Sequence, residues 1–524
     1  MKKMSYVNLT FDEGVHEGYE RALGKAASVF GHSHPMIIDG HEVFAASEFE
    51  VRSPIDARIL VGRFQEGEPS HVSGAVAAAR EGFVTWRRKT WQERTTILRR
   101  TADRLEEEMF PLSAIITYEC GKNRYEALAE VSESVDMIRY LADLLEQNRG
   151  YGVTLKPEGP AASAKSVLRP YGVFAVISPF NFPLSLATGM AAAALICGNT
   201  VILKPTSTAP FSALKLYDSF IRGGVPPSAV HYVTGPGRSF GESIVSHPDV
   251  DGIAFTGSRE AGMWLQREFA ARQPFPKPVI AEMGSKNPVI VTLHADIPQA
   301  VEGVVKSAFG YSGQKCSATS RVYVQDTIAE EFLSLLRERV ESLVVGDPRK
   351  KETSLGPVID AKALQAYQDA VSRTRQDDGK IITGGRVLSG DIFDNGHYLQ
   401  PMVVSGLPFD HPLGERELFV PFLLVFTFTT LEEALREANA TEYGLTAGIF
   451  SQNAEEIEYF FENIQFGVTY ANRKGGATTG AWPGYQSFGG WKGSGSTGKG
   501  IGGPYYLLSY LREQTQTRIG REGT

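Results

Sequence analysis

From residue 72 to 148, apolar side chains recur at three- and four-residue spacing: Ile97, Leu98, Ala102 and Leu105, then Ile138, Leu141, Leu144 and Leu145. A helix that keeps one face apolar needs that period, so the stretch predicts helices. Arg149-Gly150-Tyr151-Gly152 breaks the run. The pattern then changes, because residues 171–203 contain no Asp, Glu, Lys or Arg. Hydropathy alone would allow a membrane span there, but Pro179, Asn181, Pro183, Gly189, Gly198 and Asn199 interrupt it. The reading that accommodates them is a strand at 172–177, a turn, a helix at 183–197 and a strand at 200–203. Continuous apolar strands of this kind belong to a parallel sheet covered on both faces. Further strands are predicted at 230–233, 252–255, 278–282 and 289–291, and helices at 212–223, 239–246, 295–310 and 328–345. Alternating strands and helices imply a doubly wound, mostly parallel α/β sheet. Residues 1–50, with segments such as Met36-Ile37-Ile38-Asp39-Gly40, predict short strands. The glycine-rich 493–503 leads into 504–517, which is predicted as an edge strand.

A chain of 524 residues is long for one hydrophobic core, so two or more domains are expected. The net charge of −7 removes any electrostatic reason to expect nucleic acid as a partner. Cys120, Cys197 and Cys316 are the only cysteines, too few for a disulfide framework, and a reducing cytoplasm is expected. The polar, acidic stretch from Thr10 to Glu20 does not read as a signal peptide. No membrane partner and no metal ligands are expected.

Cys316 lies in Phe309-Gly310-Tyr311-Ser312-Gly313-Gln314-Lys315-Cys316-Ser317-Ala318, among small and polar residues after a Gly-x-x-Gly turn. That is a poor place for core filler, and Lys315 beside it is expected to favour the nucleophilic thiolate. Upstream stand Pro179-Phe180-Asn181-Phe182-Pro183 and Glu282-Met283-Gly284-Ser285-Lys286-Asn287-Pro288. Downstream stand Glu417-Leu418-Phe419 and Ser487-Phe488-Gly489-Gly490. A carboxamide, a carboxylate and a thiol in that order, each in a Gly- or Pro-defined turn, resemble the aldehyde dehydrogenase superfamily over residues 54–512.

The resemblance implies an α/β, aldehyde-dehydrogenase-like fold. It would have a Rossmann-type cofactor domain (1–149 and 168–282), an α/β catalytic domain (283–473) and a small β oligomerisation flap (150–167 and 494–524). A homodimer or higher homo-oligomer follows from it. The chemistry it implies has named parts. Cys316 attacks the aldehyde carbonyl, and the Asn181 amide with the Cys316 backbone N–H holds the oxyanion. Glu282 is the candidate base for hydrolysing the resulting thioester, which argues against a coenzyme-A-acylating enzyme. Ser285, where glycine is usual, is expected to narrow the room for Glu282 to swing. Val420 also departs from the usual glycine.

For the cofactor, strand ends facing a crevice bind nucleotides in open α/β sheets. Lys204-Pro205-Thr206-Ser207, Gly235-Pro236-Gly237-Arg238 and Phe255-Thr256-Gly257-Ser258 all follow predicted strands. By resemblance Lys204 binds the adenosine ribose, Ser258 the pyrophosphate and Glu417 the nicotinamide ribose. Ser178, Pro179, Phe180, Met283 and Phe419 complete the expected NAD site. Many relatives carry Glu at position 207, where the carboxylate repels a 2′-phosphate. Ser207, with Arg238 as a candidate phosphate partner, leaves NADP open beside NAD.

The loop Asn472-Arg473-Lys474…Thr479-Gly480-Ala481 and Lys315-Cys316-Ser317 resemble the group that oxidises L-glutamate γ-semialdehyde, the open form of 1-pyrroline-5-carboxylate. Gly480 and Ala481 N–H groups with the Ser317 hydroxyl would hold the substrate carboxylate, and Phe182 and Phe488 would flank its aliphatic chain. The longer 475–478 segment and Trp482 leave another short polar semialdehyde or aminoaldehyde as an alternative. A catalytically silent protein on the same fold is the alternative of another class, and retention of Cys316, Glu282 and Asn181 argues against it.

Overall fold

The charge-free stretch folds as strand Val173–Ser178, helix Ser185–Cys197 and strand Thr200–Pro205. Small residues let the helix sink into the interior, where all of it but Leu186 is buried. Gly198, at φ +97°, caps it in the left-handed conformation that glycine adopts without strain and returns the chain to the sheet. No helix is long and apolar enough to cross a membrane among the described residues. This is a computed structural model, and it describes residues 11–159, 162–476 and 482–519.

The first seven-stranded sheet runs Val279–Glu282, Gly252–Thr256, Val173–Ser178, Thr200–Pro205, Val230–Tyr232, Met36–Ile38 and His41–Val43. Its first five strands are parallel, and the last two are added antiparallel. The chain builds outward from Val173–Ser178 in one direction, then returns to place Gly252–Thr256 on the other side. The crevice outside the carboxyl ends of these two strands is therefore the topological switch point.

The second sheet runs Lys380–Thr383, Met402–Ser405, Phe422–Phe428, Thr319–Gln325, Asn287–Val291, Thr446–Phe450 and Val468–Ala471, parallel except at the Lys380 edge. Only residues 283–286 separate Glu282, at the end of the first sheet's edge strand, from Asn287, at the start of a central strand in the second. The carboxyl ends of one sheet thus face the amino ends of the other. A three-stranded antiparallel sheet pairs Ala162–Pro170 with Val153–Leu155 and with Leu511–Ile519.

The predicted helical run of 72–148 resolves into Pro69–Trp86, Trp91–Glu107, Met109–Cys120 and Arg124–Gln147. Each break has a local cause; at Trp91, Thr90 and Glu93 form a reciprocal capping box. Two expectations need correction. The N-terminal region contains a helix, Glu13–Ala26, as well as short strands, because its apolar side, including Tyr19 and Leu23, is buried. The C-terminal strand begins at Leu511, since Tyr506–Tyr510 forms a 3₁₀ turn whose tyrosines are packed into the core.

Candidate active site

A cleft of about 390 Å³ opens at the switch point. Ser178, Pro179, Phe180 and Asn181 enter it from the first strand end, and Thr256, Gly257 and Ser258 from the neighbouring one. Lys204, Thr206 and Gly237 line the same cleft, as do Met283, Cys316, Glu417 and Phe419. The Phe180 and Phe419 rings meet edge to face across it, with centroids 5.8 Å apart. Arg238 is exposed and lines an adjoining hollow with Gly237 and Ser258.

Ser258 caps helix Arg259–Arg272, its hydroxyl accepting from Ala261 N–H, and Gly237 opens helix Gly237–Ser246. Two helix amino termini thus point their free N–H groups at this end of the cleft, a setting that favours anions. Lys204 is buried and donates to the Pro205 carbonyl (2.8 Å). Burial lowers its pKa to about 8. Ser207 does not line the cleft; its hydroxyl donates to the Gly235 carbonyl (3.0 Å).

Cys316 is partly buried, on the turn that enters strand Thr319–Gln325. Asn287, at the start of the adjacent strand, fixes this turn by donating to the carbonyls of Cys316 and Ala318, both at 2.8 Å. Burial, then the nearby Glu417 and Glu282 carboxylates, push the thiol pKa up to about 12. The Cys316 and Ser317 backbone N–H groups oppose that shift. Lys315 does not activate the thiol as expected: its ammonium is turned to the Glu126 carboxylate, at 2.7 and 2.8 Å.

Glu282 ends its strand with one oxygen accepting from Gly490 N–H (3.0 Å), while Oε1 is shut off from solvent without a hydrogen-bond partner. Burial raises its pKa to about 8. Ser285 does not crowd it as expected. The serine hydroxyl donates to Asn287 Oδ1 (2.6 Å) and accepts from Leu445 N–H, inside the second sheet. Glu417 accepts from Ser285 N–H (2.8 Å) and lies so close over Gly284 that a Cβ there would come within 2.0 Å of its Oε2. Burial lifts its pKa to about 7.

The expected substrate residues are not gathered in this cleft. Phe182, Ser317 and Phe488 are buried beside it, with Phe488 in the core cluster of the first sheet. Gly480 and Ala481 lie outside the described residues. No group of three or more His, Cys, Asp or Glu that could hold a metal occurs among the described residues. Residues that sequence reasoning missed are Asn287, the buried Lys122 and Glu130, and the half-buried Glu126. The Asn-Pro at the start of a strand was a usable signal for Asn287.

The aldehyde dehydrogenase family model matches residues 43–516. The chain belongs to that family. It is 34% identical to 1-pyrroline-5-carboxylate dehydrogenase 1 of Halalkalibacterium halodurans over 511 residues, 97% of each chain. It is 35% identical over 505 residues to the 1-pyrroline-5-carboxylate dehydrogenase of Bacillus cytotoxicus, 96% of each. The structure of a Thermus 1-pyrroline-5-carboxylate dehydrogenase with bound NAD superposes with a TM-score of 0.93 at 32% identity, covering 99% of both chains. The aldehyde dehydrogenase fold places the switch-point cleft and the Cys316 turn face to face.

Proposed function

We propose that this aldehyde dehydrogenase oxidises L-glutamate γ-semialdehyde, the open form of 1-pyrroline-5-carboxylate, to L-glutamate with NAD, a step of proline catabolism. The observation that carries the reading is the convergence of Cys316, Asn181, Lys204 and Glu417 on one cleft. Near-full-length similarity to enzymes named for that substrate supports it.

The residues fit a nicotinamide dinucleotide. Lys204 is a buried cation facing the cleft, and two helix amino termini and the Glu417 carboxylate lie along it. Lys204 and Glu417 would hold ribose hydroxyls, and Ser258 the pyrophosphate. Bound there, the cofactor supplies a hydride acceptor. NADP is left open, because Ser207 carries no charge to repel a 2′-phosphate.

In the proposed sequence, the Cys316 thiol gives its proton to water, and the resulting thiolate Sγ forms a bond to the aldehyde carbon as the carbonyl π electrons move to oxygen. The Asn181 amide and the Cys316 backbone N–H stabilise that oxyanion. Loss of hydride from the carbon re-forms the carbonyl as a thioester. Water then attacks, Glu282 takes its proton, and the thiolate leaves. The high thiol pKa makes deprotonation a necessary early event, and the raised Glu282 pKa makes that carboxylate a stronger base than a solvated one. A cytoplasmic homo-oligomer is part of the same proposal.

A panel of aldehydes assayed for cofactor reduction tests it. The expected outcome is the highest kcat/KM for 1-pyrroline-5-carboxylate. A preference of about tenfold (1.4 kcal/mol) or more for succinate semialdehyde or betaine aldehyde would overturn the substrate assignment.

A further inference from the structure

Helix Arg124–Gln147 and the turn before it contribute three charges to the interior at Lys122, Glu126 and Glu130. Lys122 and Glu130 form an ion pair at 2.6 Å with both side chains 0% exposed. The other Glu130 oxygen accepts the backbone N–H groups of Leu184 (2.8 Å) and Ser185 (3.2 Å). Those are the first residues after the Asn181-Phe182-Pro183 turn. The Lys122 ammonium also sits 3.5 Å from the centre of the Phe182 ring and 4.9 Å from that of Tyr311. Tyr311 belongs to the turn leading to Cys316; its backbone is left-handed (φ 52°) and its hydroxyl donates to the Cys120 carbonyl (2.8 Å). Glu126 holds Lys315, the residue before Cys316, through both oxygens.

One helix therefore grips both walls of the cleft. We infer that Lys122 and Glu130 are positioning residues for the aldehyde chemistry, fixing the Asn181 turn relative to the Cys316 turn through the Leu184 and Ser185 N–H groups and the Phe182 and Tyr311 rings. Neither touches the reacting atoms. Their site is chemically costly, since two desolvated charges are kept where an apolar pair would serve the core as well. A core-filling role leaves unexplained why the pair's four contacts all fall on the two segments that flank the cleft. The inference rests on the proposed roles of Cys316 and Asn181.

The test is a double-mutant cycle in the full-length enzyme, read as the rate constant of the pre-steady-state burst of reduced cofactor. Lys122→Met with Glu130→Gln replaces the ion pair by neutral groups of similar size, so no buried charge is orphaned, and thermal melting reports whether the fold survives. The expected result is a burst about tenfold or more slower at unchanged KM for cofactor, since small misplacements of reacting groups cost that much or more. In an Asn181→Ala background the same pair of changes is expected to slow the burst by less than about threefold, because the group being positioned is already gone. Equal slowing in both backgrounds, or an unchanged burst in the first, would overturn the positioning role. If Lys122→Met/Glu130→Gln does not fold, Glu130→Gln alone, which keeps a carbonyl acceptor for the Leu184 and Ser185 N–H groups, is put through the same cycle with the same deciding outcomes. A wild type that reduces no cofactor with any aldehyde would instead overturn the proposed function itself, so the two failures are separable.

Discussion

Glu282 and Glu126 are both drawn into the protein beside the Cys316 turn, and they end in opposite electrostatic states. Glu282 receives one backbone N–H and keeps an orphaned oxygen, and burial drives its pKa up to about 8. Burial penalises the Glu126 charge too, but the Lys315 and Lys122 ammonium groups outweigh it and hold this carboxyl below the usual carboxylate range. Burial alone does not prepare a carboxylate for proton transfer. What separates the two is that one is denied a cation. The carboxylate proposed as the base is left unsatisfied, and the one that holds Lys315 is paired through both oxygens.

The sharpest way to break this contrast is Glu282→Gln. Steady-state kcat is expected to fall by about 10²–10⁴-fold, the usual weight of a general base, while the burst of reduced cofactor survives. Loss of the burst would move Glu282 to an earlier step, such as activating Cys316. In the wild type, kcat for hydrolysis should rise with pH through about 8, because the ionised carboxylate is the proposed base. A flat profile there would detach the orphaned oxygen from the chemistry.

On the paired side, Glu126→Gln leaves the Lys315 ammonium without its partner while the lysine side chain is only 2% exposed. Breaking a buried pair in this way costs about 3–5 kcal/mol, and the 17% exposure of Glu126 places the expectation at the lower end. A shifted urea midpoint at unchanged slope is the readout. An unmoved midpoint would mean the pair is as dispensable as a surface one.

The pH dependence of stability is the most diagnostic of the difference. Below pH 4.5 the Glu282 carboxyl is protonated in both folded and unfolded chains. Between 4.5 and about 8 the unfolded chain loses that proton while the folded one keeps it, so this group makes wild-type stability fall as pH rises. Above about 8 its cost is constant. Glu282→Gln has no proton to lose, so its melting temperature is expected to exceed that of the wild type by a margin that opens across this window. A margin independent of pH would mean that Glu282 is not held protonated by its surroundings.

Much of this was legible in the sequence. The strands at 173–178 and 252–256 and the first four residues of the strand at 200–205 announce themselves as charge-free runs, and the cleft residues cluster in the Gly- and Pro-defined turns that end them. The anchoring network was not legible, for a definite reason. Lys122, Glu126 and Glu130 fall at four-residue spacing, which reads as a solvated helix face laced with ion pairs. Only packing against the Phe182 and Tyr311 turns makes that face an interior one. Helix Glu13–Ala26 was hidden in the same way, since its polar residues outnumber the apolar stripe that meets the core. The Lys315 error has the same root: adjacency in sequence says nothing about which way a side chain turns.

The four-residue bridge between the sheets has a mechanical consequence. Residues 283–286 are pinned at one end by Met283 N–H on the Ser494 carbonyl (2.9 Å) and at the other by Asn287 beneath the Cys316 turn. Such a strut has no slack to absorb relative sliding of the two sheets. Any shear between them is passed on to the spacing between Glu282 and Cys316, whereas a long connecting loop would have damped it.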